Sequence, residues 1–348
     1  MKITRHLSIL SPAGLSLLLF LFCAFAVIVN PDAGAALIET EEELVALEEP
    51  PALPANINQE SDLHLAVGKG EVTLLNLSDP VPVPETVIET TDIEYGRVGD
   101  RALLLDLYRP ARQEGPQPGL IFIHGGGWSS GKKSDYKYYT VRFAQMGFVV
   151  ATISYRFVQE APFPACVEDA KCAVRWMRAH ADEYGIRADA IAVAGGSAGG
   201  HLAMMLGYAA DTPELEGKGG HEQFSSAVQA VINLYGPTDL TPEEFHNHPT
   251  LTAFFGGKSY DQVPESYALA SPMHHLDKND PPTLVIHGTD DSTVPVAQAD
   301  LLVAQLEKLE IPHEYLRMKG YPHTLDILLE ANQFVRWHMY RFLKTHLN

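Results

Sequence analysis

The stretch IAVAGGSAGGHLAMML, residues 191–206, decides how the rest of the chain is read. The apolar run Ile191–Ala194 leads into Gly195-Gly196-Ser197-Ala198-Gly199, and the helical run His201–Leu206 follows at once. A G-x-S-x-G between a strand and a helix is the pattern of a nucleophile elbow, a turn tight enough to strain the serine backbone. Gly195 and Gly199 carry no Cβ, which lets strand and helix approach. Ser197 would then stand at a helix N-terminus, whose positive dipole end favours a developing anion. A bare glycine-rich turn has no reason to carry the strand before it and the helix after it.

A second glycine cluster, His124-Gly125-Gly126-Gly127-Trp128, closes the apolar run Leu120–Ile123. Without side chains in the way, its N–H groups can turn toward a bound carbonyl oxygen. Donors fixed where a tetrahedral intermediate becomes negative are worth roughly 2.7–4 kcal/mol each. Gly126 and Gly127, with the N–H of Ala198, are the candidates for that oxyanion hole. His124 is read as a hydrogen-bonding residue that fixes the loop.

A serine nucleophile needs a base within hydrogen-bond reach, and the base needs an orienting acid. In the elbow-bearing fold they follow in the order nucleophile, acid, histidine. The run Thr283–Ile286 leads into His287-Gly288-Thr289-Asp290-Asp291-Ser292-Thr293-Val294-Pro295, so either Asp290 or Asp291 can serve, with Asp291 preferred. The other aspartate is then a turn or capping residue. Asp239 is a weaker third choice, read as a helix cap. Beyond Asp291 lie His313, His323, His338 and His346. His313 opens a strand, while His338 and His346 fall in the final helix with surface exposure expected. His323, in the loop Gly320-Tyr321-Pro322-His323, is the base. His201 is expected to point into packing.

Outward from these motifs the chain alternates strands and helices. Arg101–Tyr108 alternates like a sheet-edge strand. Leu120–Ile123, Phe148–Ile153, Ile191–Ala194, Ala230–Leu234 and Thr283–Ile286 are short apolar runs that suit parallel strands buried on both faces, and His313–Met318 adds another strand. Helices are expected over Tyr136–Met146, Val167–Tyr184, Ala198–Tyr208, Val296–Leu309 and Leu325–Leu347. The pattern predicts an α/β fold, a doubly wound and mostly parallel sheet with helices on both faces, over residues 86–348. Chemistry in such sheets collects at the carboxyl ends of the strands. There is no internal repeat, P-loop or dinucleotide fingerprint, and the fifteen histidines show no metal-ligand spacing. No cofactor or metal is expected. Trp128, Tyr136, Tyr138 and Tyr139 follow the oxyanion loop and read equally as pocket lining or as core.

The composition, 46% hydrophobic and 20% charged over 348 residues, describes a globular chain. Its net charge of −19 argues against a nucleic-acid partner. Residues 36–95 hold fourteen acidic residues and a single basic one, Lys69, so that stretch accounts for most of the charge. Residues 36–85, broken by six prolines, read as an acidic linker or arm, with a short helix possible at Glu39–Glu49. Residues 1–35 combine Lys2, Arg5 and His6 with the apolar run Leu15–Val29 and the small residues Ala33-Gly34-Ala35. Fifteen residues suit a signal-peptide core and fall short of the ~20 that span a membrane. Export to the periplasm or beyond is expected, with cleavage near Ala35 and no stable span afterwards; an uncleaved anchor is the alternative. Cys23 follows the bulky Phe22, which speaks against lipidation. Cys166 and Cys172, six apart on a helix, point in different directions and are expected to be free, buried thiols.

Taken together, HGGGW at 124–128, SYR at 154–156, FPA at 163–165 with Glu168, Asp169 and Trp176, GGSAGG at 195–200, HGTDDSTVP at 287–295 and the late His323 resemble the α/β-hydrolases. Within them the chain is similar to the hormone-sensitive-lipase-like esterases over residues 88–348. The family pattern H-G-x-x-D-x-x-V-P maps its acid onto Asp291, and the family's oxyanion glycines map onto Gly126 and Gly127. Many relatives have D-Y-R-L-A-P-E where this chain has Ser154–Glu160, and the leader does not look like a lipase-type helical cap. Those departures, with the signal peptide, bring it closer to secreted carbohydrate and feruloyl-type esterases. The resemblance implies a serine hydrolase of carboxylic esters, short or carbohydrate-borne. A peptidase of the same fold and a non-catalytic binding module are the rivals; the peptidase lacks room for a propeller, and the module would have lost a triad member.

Overall fold

The computed structural model describes residues 48–75 and 80–347. The proposed signal peptide, Cys23 and nearly all of the Glu39–Glu49 helix lie outside them. In chain order the main elements are α1 (Glu60–Gly68), β1 (Val87–Val98), β2 (Arg101–Pro110), β3 (Gln117–Ile123), α2 (Lys137–Gln145), β4 (Val149–Ile153), α3 (Ala165–Ala179), α4 (Ala181–Tyr184), β5 (Ile186–Gly196) and α5 (Ala198–Tyr208). They continue with β6 (Ala230–Leu234), α6 (Pro249–Phe254), α7 (Pro264–Leu269), β7 (Thr283–Gly288), α8 (Ala297–Lys308), β8 (His313–Met318) and α9 (Leu329–His346). No described helix is long and apolar enough to cross a membrane.

The strands form one sheet in the order β1-β2-β4-β3-β5-β6-β7-β8. The first two pairings, β1 with β2 and β2 with β4, are antiparallel, and every later one is parallel. Because side chains alternate along a strand, each strand feeds both faces. Ile121 and Ile123 of β3 with Ile191 and Val193 of β5 join a core that includes Val167 and Val174 of α3, Leu202 of α5 and Leu302 of α8. Leu120, Phe122, Ala192 and Ala194 turn to the opposite core, with Phe143 of α2 and Val335 and Phe342 of α9. This is the α/β-hydrolase arrangement expected from the sequence.

Three local readings need correction. Arg101–Tyr108 is not the edge: β1 covers it, and Leu103, Leu105 and Leu107 are buried. The charged residues Glu89, Asp92, Glu94 and Arg97 of β1 hid it, as charge and irregular register commonly do at sheet edges. The single helix read over 167–184 breaks at His180, which stacks on Trp176 and bonds its carbonyl. The stretch read as linker or arm contains α1, whose Leu63 and Ala66 are buried with Val72 against the α9 side of the sheet. A nine-residue helix with two buried side chains gives almost no periodic signal. Its start is held by Asp62, whose carboxylate accepts the N–H groups of Asn58 and Gln59.

Cys166 and Cys172 are free and buried on α3, as expected. Beside them Lys171 and Arg175, 0% and 1% exposed, reach the Glu216 carboxylate at 2.6 Å each, and Lys171 also bonds the Ala209 carbonyl at 2.6 Å. The carboxylate ties the loop after α5 to α3. Removing one partner of a buried ion pair strands the other charge. Glu216→Ala should therefore cost about 3 kcal/mol in urea unfolding, while Glu214→Ala on the same loop is nearly neutral. Equal stabilities would show that the two buried cations are satisfied without Glu216.

Candidate active site

The carboxyl ends of β3, β5, β7 and β8 bring four loops to one rim. At the end of β5, Ser197 adopts φ 56°, ψ −122°, a conformation strained for a side-chain-bearing residue and held here by its surroundings. Its N–H bonds the Leu234 carbonyl at 2.9 Å, and α5 begins with the next residue. The strand and helix cross so closely that a Cβ on Gly199 would run into the Ile123 carbonyl. Close approach, more than turn freedom, is what requires glycine there.

His323 arrives from the loop after β8. Its Nε2 lies 3.0 Å from Ser197 Oγ, and its Nδ1 lies 2.6 Å from Asp291 Oδ2. A carboxylate accepts only, so Nδ1 donates to it, and whenever the ring is uncharged its Nε2 lone pair faces the serine hydroxyl. Asp291 Oδ1 accepts the N–H groups of Thr293 at 2.9 Å and Val294 at 2.8 Å. Burial pushes the Asp291 carboxyl up, but hydrogen bonds from His287 and His323, and the charge of His323, outweigh it and hold it at about 2.

The β3 loop completes the rim. Gly126 and Gly127 have φ of +102° and +58°, values that favour glycine. The Gly126 carbonyl accepts bonds from the N–H and Oγ of both Ser129 and Ser130, at 3.1–3.2 Å. In a trans peptide the following N–H points the opposite way, so the Gly127 amide is turned away from that turn. Neither glycine N–H donates to another described residue. Ala198 opens α5, and its N–H has no intrahelical acceptor. His124 braces the loop: its Nδ1 bonds the Gly125 carbonyl at 2.8 Å and its ring stacks on Tyr155 at 4.5 Å. Burial lowers its affinity for a proton.

The other candidates lie apart from this cluster. Asp290 does cap a helix, but a remote one: its Oδ2 accepts the Glu60 N–H of α1 at 2.8 Å. Asp239 is not a helix cap; its Oδ1 accepts the backbone N–H and hydroxyl of Thr241 in a local turn. His201 is buried, bonds the Ala270 carbonyl at 2.7 Å, and is lowered by burial to about 4. His313 bonds the Ile311 carbonyl. His338 and His346 are half-buried against Phe334 and Phe342, not on open surface. Trp128 is core: it stacks on Phe254 of α6 at 4.2 Å, and its indole N–H reaches His201 at 3.3 Å. Tyr136, Tyr138 and Tyr139 are buried too. Arg156 of the SYR motif pairs with Asp169 at 2.7 Å and Glu168 at 3.0 Å, bracing the chain after β4. No group of three or more potential metal ligands occurs among the described residues. Surface clefts of about 380 and 370 Å³ meet at Pro213, and no residue of the rim lines either of them.

Three supporting residues went unread. His287 is fully buried, and its Nε2 faces the Val294 carbonyl at 2.8 Å and Asp291 Oδ2 at 3.2 Å. Tyr235 presents its ring to His323 at 4.8 Å and donates its hydroxyl to Asp326 Oδ1. Asp326, whose carboxyl burial pushes up, also accepts from Tyr139 at 3.2 Å. His287 stands four residues before Asp291 and Asp326 three after His323, but nothing in a sequence says that such neighbours turn inward, and Tyr235 is distant along the chain.

A family model described as BD-FAE matches residues 105–306. Esterase LipC of Mycobacterium tuberculosis is 36% identical over 66% of this chain and 58% of its own length. The chain thus spans about three-fifths of that curated relative, and similar shares of others. Among solved structures, a truncated carbohydrate esterase from gut microbiota superposes with a TM-score of 0.65 at 25% identity, covering 76% of this chain and 99% of that one. Butyrate-bound Est2, an esterase from the planctomycete Thermogutta terrifontis, gives 0.64 at 27% identity, covering 73% and 93%. Est2 is also known in a form phosphonylated by sarin.

A carboxyl held at about 2 instead of the ordinary 3.8 contributes stability that is full above about pH 4 and lost as pH falls through about 2. The difference is worth about 2 kcal/mol. In urea titrations, wild-type stability should fall by that amount relative to Asp291→Asn between about pH 5 and pH 2. Parallel pH curves for the two proteins would show that the carboxylate is not held down.

Proposed function

The chain belongs to the BD-FAE family and has the α/β-hydrolase fold, and from that premise we propose that it is an exported serine hydrolase of carboxylic esters. The observation that carries the reading is the continuous hydrogen-bond chain from Asp291 through His323 to Ser197, at 2.6 and 3.0 Å. The expectation of export rests on residues 1–35 of the sequence.

In this mechanism Ser197 Oγ attacks the acyl carbon while His323 Nε2 takes its proton. The carbonyl oxygen, now negative, is received by the N–H groups of Gly126, Gly127 and Ala198. His323, cationic at that moment, is steadied by ionised Asp291 and returns the proton to the leaving alcohol. Water then gives a proton to His323 and attacks the acyl-enzyme, and collapse releases the acid and restores Ser197. Every proton is carried by one imidazole, so neither metal nor organic cofactor has a step to perform. Short-acyl and carbohydrate-borne esters are the proposed substrates, a reading supported by the carbohydrate esterase and butyrate-bound Est2 among its structural neighbours.

Turnover of aryl esters graded in acyl length, of acetylated xylan and of methyl ferulate, beside aminoacyl amides, tests the class. Ser197→Ala should abolish hydrolysis and labelling by a fluorophosphonate probe with the fold retained. Asp291→Asn should lower kcat by up to ~10⁴. A loss of that size from Asp290→Asn, with Asp291→Asn nearly silent, would reassign the acid. Amide turnover exceeding ester turnover would make the protein a peptidase.

A further inference from the structure

His323 is carried by the short segment between β8 and α9. On its inner side this segment is held by Asp326, through Tyr235, Tyr139 and the bond from Asn332 Nδ2 to the Asp326 carbonyl. Its outer side is covered by residues 57–75, the arm that contains α1. Both partners of that contact fall outside residues 105–306, the part matched by the family model.

The arm grips the histidine segment at both ends. At the β8 end, Lys319 Nζ donates to Asn58 Oδ1 at 2.7 Å. The Asn58–Gln59 backbone passes so close to Gly320 that a Cβ there would sit 2.7 Å from Gln59 N. At the α9 end, Leu74 and Leu328 form an antiparallel bridge. Leu75 N–H donates to the Ile327 carbonyl at 2.7 Å, Leu329 N–H donates to the Thr73 carbonyl at 2.8 Å, and Thr73 N–H reaches the Glu330 carboxylate at 3.2 Å. Between the two grips, Leu63, Ala66 and Val72 of the arm share one apolar cluster with Tyr321, Leu325 and Leu328. The arm also touches the acid's loop, because the Asp290 carboxylate that accepts the Glu60 N–H adjoins Asp291.

We propose that residues 57–75 are a strap that positions the catalytic base, clamping residues 319–330 at both ends so that His323 stays in line with Ser197 and Asp291. The proposal rests on the hydrolase reading above. The physical need is plain: loops at a sheet rim open more readily than the core, and a displacement of about 1 Å at a reacting group can cost 10²-fold in rate. None of the strap residues touches the reacting atoms. They act through His323, so their loss should appear in kcat and leave KM nearly alone.

The test uses the full chain. Leu75→Pro removes the N–H given to Ile327, whereas Leu75→Ala keeps it. With p-nitrophenyl acetate, Leu75→Pro should lower kcat by roughly 10–100-fold with KM little changed, and Leu75→Ala should stay close to wild type. Amides of residues 321–328 should exchange faster in Leu75→Pro alone. Unchanged kcat in a Leu75→Pro protein whose strap amides exchange freely would overturn the proposal. A second measurement needs no variant: in wild-type protein at sub-denaturing urea, strap and 321–328 amides should open together, with kcat falling in step. Free exchange of the strap while 321–328 stays protected would equally overturn it. Wild-type protein that turns over no ester would sink the hydrolase reading, and the exchange data would still decide whether the clamp exists.

Discussion

One hydrogen bond organises the rim of this molecule: His323 Nδ1 to Asp291 Oδ2, 2.6 Å long. It fixes the imidazole tautomer, and thereby which nitrogen faces Ser197. It also fixes the ring's direction, because the Asp291 carboxylate is itself held by the Thr293 and Val294 amides and by buried His287. An acceptor fixed on all sides cannot follow a wandering donor. The loop bearing His323 must therefore be brought to the acid.

The fold meets that demand with ordinary means. Parallel strands end on the same side, so the loops after β3, β5, β7 and β8 start within reach of one another. The elbow then raises Ser197 at a cost in backbone strain, held by the Leu234 carbonyl below it and by the close crossing of Gly199 over Ile123. Behind the rim Asp326 accepts from Tyr235 and Tyr139, and His124 Nδ1 bonds the Gly125 carbonyl. The two tyrosine hydroxyls fix the Asp326 carboxylate between them, and a buried bond of this kind rigidifies what it surrounds. The face toward solvent is left with half-buried Ser197 and two glycine amides that have no partner among the described residues.

Sequence patterns found the elements whose signal is an apolar run between breakers. The five inner strands β3 to β7 and the elbow helix fall where they were expected, since strands buried on both faces must be apolar throughout. Elements with mixed surroundings escaped. Edge strand β1 is charged along its exposed side, and α1 buries only Leu63 and Ala66. His287, Tyr235 and Asp326 were missed for a different reason. Each is a polar residue whose importance lies in the direction its side chain takes, and direction comes from packing.

What this sequence determined alone is a set of local demands. A serine between small residues must turn sharply, glycines after β3 must admit positive φ, and apolar runs must be covered on both sides. These demands follow from backbone sterics and from the cost of leaving apolar surface in water, and both act over a few residues. Only the folded chain brought His323 to Asp291, the pair that the motifs single out, and laid an acidic, proline-broken stretch across the segment bearing His323. Those outcomes join residues as many as 261 positions apart, as in the contact of Asn58 with Lys319. No local pattern carries such a pairing, because it exists only once sheet order and loop packing have brought the two backbones together.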